Sequence, residues 1–278
     1  MAITTSMIKE LRDATSLGIA DCKKALEETN GDFDAAVKIL REKGAAVAAK
    51  RASKEAKEGV IDAIVSSDAQ SAAMLEVNCE TDFVTRNEDF QGFVAELREE
   101  SLAFETNTMA EGVAKKIEAK MASIGEKIQF RRNTKWTVEG TGSIASYIHM
   151  GGKVGVLLEL ACEKAETIEN PVYTELAKDL TLHVAAAAPE YLTRDEVPAE
   201  LVESEKAIFR TQLEGKPENI IDNILVGKIN KFYSQICFVE QGFVKEDKVS
   251  ITDLIAEKSK ELGDTINIKR YVRYQLGA

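Results

Sequence analysis

No apolar run in this chain approaches the ~20 residues that a membrane-spanning helix needs. The opening MAITTSMIKELRD is charged by its ninth residue and has no hydrophobic core of a secretory signal, so a soluble cytoplasmic protein is expected, with no membrane partner. Histidine is almost missing: His149 and His183 are the two in 278 residues. The four cysteines, Cys22, Cys79, Cys162 and Cys237, show no CxxC spacing. A zinc site is therefore unsignalled, and reduced, mostly buried thiols are the simpler reading. With so few histidines and no nucleophile beside a base, the sequence does not read as an enzyme, and nothing in it asks for a cofactor. Aromatics are 6% of residues and rarely interleave with basic ones, which argues against RNA binding. GTGS at 140–143 lacks the GxxxxGK[ST] spacing of a phosphate loop and reads as a turn leading into a strand.

Charge is abundant, and mostly negative. The net charge is −11, yet residues 1–58 hold eleven Lys and Arg against ten Asp and Glu, and the remainder holds 25 against 37. An acidic body is a poor partner for phosphate backbones, so no direct nucleic-acid contact is expected. The basic stretch from Arg41 to Lys57 is interleaved with Glu42 and Glu55 and reads as a solvated helix face. A 44% apolar and 30% charged composition describes a globular protein long enough for two or three small domains.

The chain also repeats itself. At an offset of 83 residues, the window 59–97 contains eight identities in 39: Gly59/Gly142, Ile61/Ile144, Leu75/Leu158, Glu76/Glu159, Cys79/Cys162, Glu80/Glu163, Asn87/Asn170 and Leu97/Leu180. They fall on strand positions, a turn glycine and a helix cap. At an offset of 138, IGEKIQFRR (124–132) falls on LGDTINIKR (262–270), so the second copy carries 55 extra residues between about 185 and 245. The repeated unit reads hairpin, helix, helix, strand. GVIDAIV and AAMLEVNC alternate as strands around SSDAQS, and GSIASYIHM and KVGVLLELAC form the matching hairpin across Gly151–Gly152. Asn87 is a candidate N-cap, and Asn170 is another with Pro171 behind it.

Within the extra residues, PAELVESEKAIFRTQL and NIIDNILVGKINKFYSQI carry helical apolar spacing on either side of GKPE, predicting an antiparallel helical hairpin. Residues 5–43 predict three short helices with breaks at Ser16–Leu17–Gly18 and Asn30–Gly31–Asp32, the third closed by Gly44. AAVAAKRASKEAKE then predicts a fourth helical stretch serving as a linker. The expected fold class is α+β. The expected division is a helical module with its linker at 1–54, a first core subdomain at 55–140, and a second at 141–278 with the helical hairpin inserted at about 189–240.

One junction breaks the pattern. In NCETDFVTRN (78–87) a turn after a predicted strand contains Phe83 and Val84, either misplaced core residues or an apolar wedge facing outward. Thr81, Asp82, Phe83 and Val84 align in the repeat with Lys164, Ala165, Glu166 and Thr167, with no bulky apolar side chain at either position. The unit does not need an aromatic there, which favours the wedge.

TDFV after a strand ending EVNC resembles the signature of the elongation factor Ts family, exchange factors for the GTPase elongation factor Tu. LGIADCKKALEETNGDFDAAVKILREKG is similar to that family's N-terminal module, which resembles a ubiquitin-associated (UBA) domain. HVAAAAPEY (183–191) resembles its helix end before the inserted hairpin. The resemblance implies nucleotide exchange on elongation factor Tu, in the nucleotide-free or GDP-bound form, with Thr81, Asp82, Phe83 and Val84 disturbing the GTPase's Mg²⁺ region. His149, in SYIHMGGKVG, matches a family histidine that approaches the phosphate-binding loop. An exposed histidine beside Gly–Gly with no such role is the alternative. The family's N-terminal module meets an acidic helix of the GTPase, which implies that contact for Lys23 and Lys24 in DCKKAL; a solvated helix face is the alternative. Ile124 matches a contact position, although its parallel with Leu262 suggests core packing. His183 reads as a satisfied structural residue. The inserted hairpin is a candidate surface for a homodimer or for a further part of the GTPase. The rival reading is a protein-binding adaptor built on the UBA-like module, without exchange activity.

Overall fold

The computed structural model describes residues 3–15, 17–51, 53–213 and 217–278. The described chain begins with three helices, α1 (Thr5–Thr15), α2 (Ile19–Glu28) and α3 (Phe33–Arg51). Their apolar stripes meet in a small core of Leu11, Cys22, Ala25, Leu26, Ala36 and Leu40. The break after α2 uses left-handed backbone at Asn30 (φ 52°) and Gly31 (φ 87°), which asparagine and glycine tolerate best. Of the break expected around residues 16–18, Ser16 lies outside the described residues.

Gly44 does not close the third helix, and the expected linker helix is not separate. Instead α3 runs through Gly44 to Arg51. A Cβ at Gly44 would sit 3.3 Å from the Ala122 Cβ, so this glycine marks a close helix crossing. The alanine-rich sequence that follows has high helix propensity and carries the helix onward.

The first half of the body contains β1 (Glu58–Val65), β2 (Ser71–Cys79), a single turn α4 (Asp82–Thr85), α5 (Glu88–Glu100), α6 (Met109–Ile124) and β3 (Ile128–Thr137). The strands form an antiparallel sheet in the order β1-β2-β3. One face, through Leu75, Val77 and Phe130, packs against Phe90, Phe93 and Leu97 of α5 and Val113 and Ile117 of α6.

In the second half come β4 (Gly142–His149), β5 (Val154–Ala161), α7 (Pro171–Ala187), α8 (Ala199–Thr211), α9 (Glu218–Ile236), β6 (Gly242–Phe243), β7 (Glu246–Ser250), α10 (Ile251–Leu262) and β8 (Asn267–Gln275). The larger sheet is again antiparallel, in the order β4-β5-β8. Asn87 and Asn170 cap α5 and α7 by accepting from Asp89 N at 2.7 Å and Val172 N at 2.9 Å.

The two sheets correspond in detail. Each carries a register shift on its central strand, between Glu76 and Val77 in one and between Glu159 and Leu160 in the other. Each shift sits beside a buried glutamate that takes an arginine from the third strand: Arg132 Nε donates to Glu76 at 2.8 Å and Arg270 Nε to Glu159 at 2.6 Å. A Cβ at Gly59 or Gly142 would meet the carbonyl oxygen of Val77 or Leu160 at 2.2 Å. The second faces of the sheets pack on each other through Ile61, Met74, Ile144 and Leu157. Arg132 lies 4.0 Å from the Tyr274 ring centre and Arg270 4.5 Å from that of Trp136, so each arginine reaches across to the opposite sheet.

Helices α8 and α9 run antiparallel: Arg210 meets Asp222 at 3.4 Å, while Val202 packs with Ile229 and Ile236 further down. Gly215 and Lys216 of the expected turn lie outside the described residues. The β6–β7 ribbon has no counterpart in the sequence expectations. Among the described residues, no helix is long and apolar enough to cross a membrane.

Candidate partner-binding site

Strand β2 ends at Cys79, and Thr81 leaves it with extended backbone (φ −128°, ψ 155°) before α4 begins. A helix of one turn presents adjacent side chains about 100° apart, so two neighbouring apolar residues face different ways. Val84 turns inward, is 7% exposed and joins the core with Phe90 and Leu97. Phe83 turns outward and is 79% exposed, more than any other large hydrophobic side chain among the described residues. Leaving such a ring in water forgoes about 2–3 kcal/mol of burial, a strong departure for a chain with a core beside it. Asp82 is half-buried, and its carboxylate accepts from Arg86 at 2.8 Å.

The base of this turn is held firmly. Thr81 donates its backbone N–H to Glu126 at 3.1 Å and its hydroxyl to the same carboxylate at 2.9 Å. The Cys79 thiol donates to the Thr81 carbonyl at 3.2 Å. Burial first, and then the neighbouring Glu126 carboxylate, push that thiol up to about 12, so it stays a protonated donor at neutral pH. All four cysteines are buried and free of disulfides.

A second exposed feature lies over the neighbouring strand, β1. The β4–β5 turn brings His149, Met150, Gly151 and Gly152 over the start of β1, where Ile61 N donates to the Gly152 carbonyl at 2.8 Å and Lys153 pairs with Glu58 at 2.5 Å. Helix α4 also packs on β1. His149 is exposed and hydrogen-bonded through Nδ1 to the Tyr147 hydroxyl at 3.0 Å. Met150 is 72% exposed with left-handed backbone at φ 50°. Sequence reasoning passed over Met150, although an apolar residue just before Gly–Gly at a hairpin tip was a signal.

The other expected residues lie apart. Lys23 and Lys24 are exposed on α2, Lys23 within 3.8 Å of Glu27. Ile124, at the end of α6, is partly buried against the first-half core, as its parallel with Leu262 suggests. His183 is fully buried: Val244 N–H donates to Nδ1 at 3.2 Å, which leaves the proton on Nε2 to reach Gln241 Oε1 at 2.9 Å. Burial lowers its pKa and keeps it neutral. Of the four TDFV residues, Asp82 and Phe83 are therefore available to a partner. Thr81 is spent on the brace, and Val84 departs from the expectation by packing in the chain's own core.

An exposed ring and a carboxylate on a braced turn, with an exposed imidazole and methionine on a separate hairpin tip, suit recognition of another macromolecule. Among the described residues, no group of three or more His, Cys, Asp or Glu is placed to hold a metal ion.

The sequence profile of the family described as Elongation factor TS matches residues 80–278, starting at the braced turn. Elongation factor Ts of Clostridium perfringens (strain SM101 / Type A) is 44% identical over 287 residues, covering 99% of this chain and 93% of that protein. Elongation factor Ts of Nitratidesulfovibrio vulgaris (strain DP4) is 40% identical over 279 residues, covering 100% and 96%. That of Trichlorobacter lovleyi is 41% identical over 291 residues, covering 100% and 93%. Matches of this extent and identity, over almost the whole length of both partners, establish that the chain belongs to the elongation factor Ts family.

Proposed function

We propose that the chain is a guanine nucleotide exchange factor for elongation factor Tu, and that Asp82 and Phe83 are the residues it inserts into the GTPase. The observation that carries this reading is the ring of Phe83, exposed at 79% on a turn whose base is anchored by Glu126. Phe83 acts as a wedge between elements of the GTPase near its Mg²⁺, and Asp82 changes the hydrogen bonding around the metal-bound waters. His149 and Met150 extend the contact toward the phosphate-binding loop.

The thermodynamics is linkage. A factor that binds nucleotide-free GTPase more tightly than the GDP complex weakens GDP by the same ratio. A thousandfold weakening takes about 4 kcal/mol. Covering the Phe83 ring contributes about 2–3 kcal/mol, so lost Mg²⁺ coordination must provide the remainder. No covalent bond is made or broken, and the chain is not an enzyme in the chemical sense.

The same reading divides the chain into a UBA-like module at 1–54 and subdomains at 55–140 and 141–278. The matched register shifts, glutamate–arginine pairs and asparagine caps support descent of the two subdomains from one duplicated unit. Lys23 and Lys24 of the module contact an acidic surface of the GTPase. On the inserted hairpin, the exposed Ile208, Ile220 and Val226 support a further contact there, with the GTPase or with a second copy of the chain. The cytoplasm, where translation elongation takes place, is its compartment.

Stopped-flow release of a fluorescent GDP analogue from elongation factor Tu tests the reading. The chain should accelerate release strongly, and excess free GDP should drive the two proteins apart. Unaccelerated release, or a complex indifferent to GDP, overturns it.

A further inference from the structure

We propose that Glu126 is a positioning residue for the wedge: its carboxylate, clasping Thr81, fixes the direction in which Asp82 and Phe83 leave the body. This rests on the exchange reading given above. Glu126 lies in the turn between α6 and β3, just after Gly125 closes α6 with left-handed backbone. One carboxylate oxygen takes the Thr81 N–H at 3.1 Å and the other takes its hydroxyl at 2.9 Å.

The hold runs in both directions. Glu80, one residue before Thr81, accepts from the backbone N–H of Lys127, one residue after Glu126, at 2.6 Å. Strand end and turn therefore clasp each other crosswise, each holding the other's backbone with a carboxylate. Arg51, at the end of α3, donates from the single nitrogen Nη1 to both oxygens of Glu80 at 3.0 and 3.1 Å, offsetting the charge of one of the two carboxylates.

The second half shows what such a carboxylate does where no large apolar side chain projects. Asp264, at the position matching Glu126, accepts from Glu163 N and Lys164 N at 3.1 Å and from the Thr167 hydroxyl at 2.6 Å. There the carboxylate bridges from the strand end to Thr167, the residue matching Val84. Glu126 grips only the residue ahead of its turn, and Asp82 and Phe83 stay outside the grip. Thr81 is thus the pivot of a lever. A tilt of roughly 20° there moves a ring roughly 6 Å away by about 2 Å, and misplacements near 1 Å cost roughly 100-fold where geometry sets a rate.

The test is stopped-flow GDP release from elongation factor Tu at saturating chain, with Glu126→Ala, Glu126→Gln, Phe83→Ala and the double variant Glu126→Ala/Phe83→Ala. Expected are a plateau rate roughly tenfold lower in Glu126→Ala, and an intermediate rate in Glu126→Gln, which keeps an acceptor for one Thr81 donor. In the Phe83→Ala background, Glu126→Ala should lower the rate by less than twofold, because a positioning residue has nothing left to position. Fully multiplicative losses would mark a merely structural role and overturn the proposal. So would full-rate Glu126 variants beside a defective Phe83→Ala. If Glu126→Ala does not fold, Thr81→Val removes the hydroxyl half of the clasp and should lower the plateau roughly threefold, and an unchanged plateau overturns the proposal. A wild-type chain that leaves release unaccelerated, or a full-rate Phe83→Ala, instead overturns the exchange reading and this inference with it.

Discussion

The junctions at Thr81–Asn87 and Lys164–Asn170 are built from the same parts. A buried cysteine, the last residue of β2 in one and the first residue past β5 in the other, donates its thiol to the carbonyl two residues on, at 3.2 Å from Cys79 and 3.3 Å from Cys162. An acid from a distant turn grips the backbone, and an asparagine caps the next helix. Each junction also buries one side chain at matching positions, Val84 in the first and Thr167 in the second. The residue just before it faces water in both, and there the halves part: Phe83 in one, Glu166 in the other. The fold accepts a charged residue at that position, so the aromatic in the first half serves something other than this chain's interior.

That comparison can be broken from either side. The largest effect is expected from Phe83→Glu, which copies the second half into the first: exchange should fall about 100-fold, the scale of about 2–3 kcal/mol of lost apolar burial, while the unfolding midpoint in denaturant stays put. Next comes Val84→Ala. Loss of a core side chain should lower unfolding stability by about 2 kcal/mol, measured by urea titration, and a neutral outcome would mean that the inward and outward positions are misassigned.

A smaller effect is expected at Asp264. The Thr167 hydroxyl, followed by backbone N–H donors, holds its carboxyl below the ordinary value near 4. A depressed carboxyl contributes stability that is present above its unfolded pKa and is lost as the pH falls through its folded one. Asp264→Asn should therefore flatten the acid limb of stability against pH below about 4 and leave Phe83-dependent exchange intact. The smallest effect belongs to Glu166→Phe, the converse copy. Stability should stay within about 0.5 kcal/mol, and exchange by a Phe83→Glu chain should not be restored, because the second junction faces a different surroundings.

Much of this was legible in the sequence because the repeat exposes function by subtraction. Gly59 and Gly142 recur where no Cβ fits, Glu76 and Glu159 recur beside the register shifts, and Asn87 and Asn170 recur as caps. Fold class and both sheets followed from such positions, and the helical hairpin from apolar spacing within the extra residues of the second copy. What stayed hidden depends on contacts between distant parts of the chain. Gly44 resembles a helix terminator unless the crossing with Ala122 is known. The β6–β7 ribbon is too short for periodicity to register. Which of Phe83 and Val84 faces inward depends on the phase of a single helical turn, and alternation gives no hint of it. The clasp between Glu80, Thr81, Glu126 and Lys127 joins residues more than 40 positions apart and left no local mark.

The central claim is that the Phe83 ring is covered by another molecule and not by this chain. Fluorine-labelled phenylalanine at position 83, followed by ¹⁹F NMR, measures this directly. In the free chain the resonance should show the full solvent-isotope shift of a ring in water. Nucleotide-free elongation factor Tu should move the resonance and abolish that shift, and excess GDP should restore both. A ring already shielded in the free chain, or one unmoved by the GTPase, would contradict the claim.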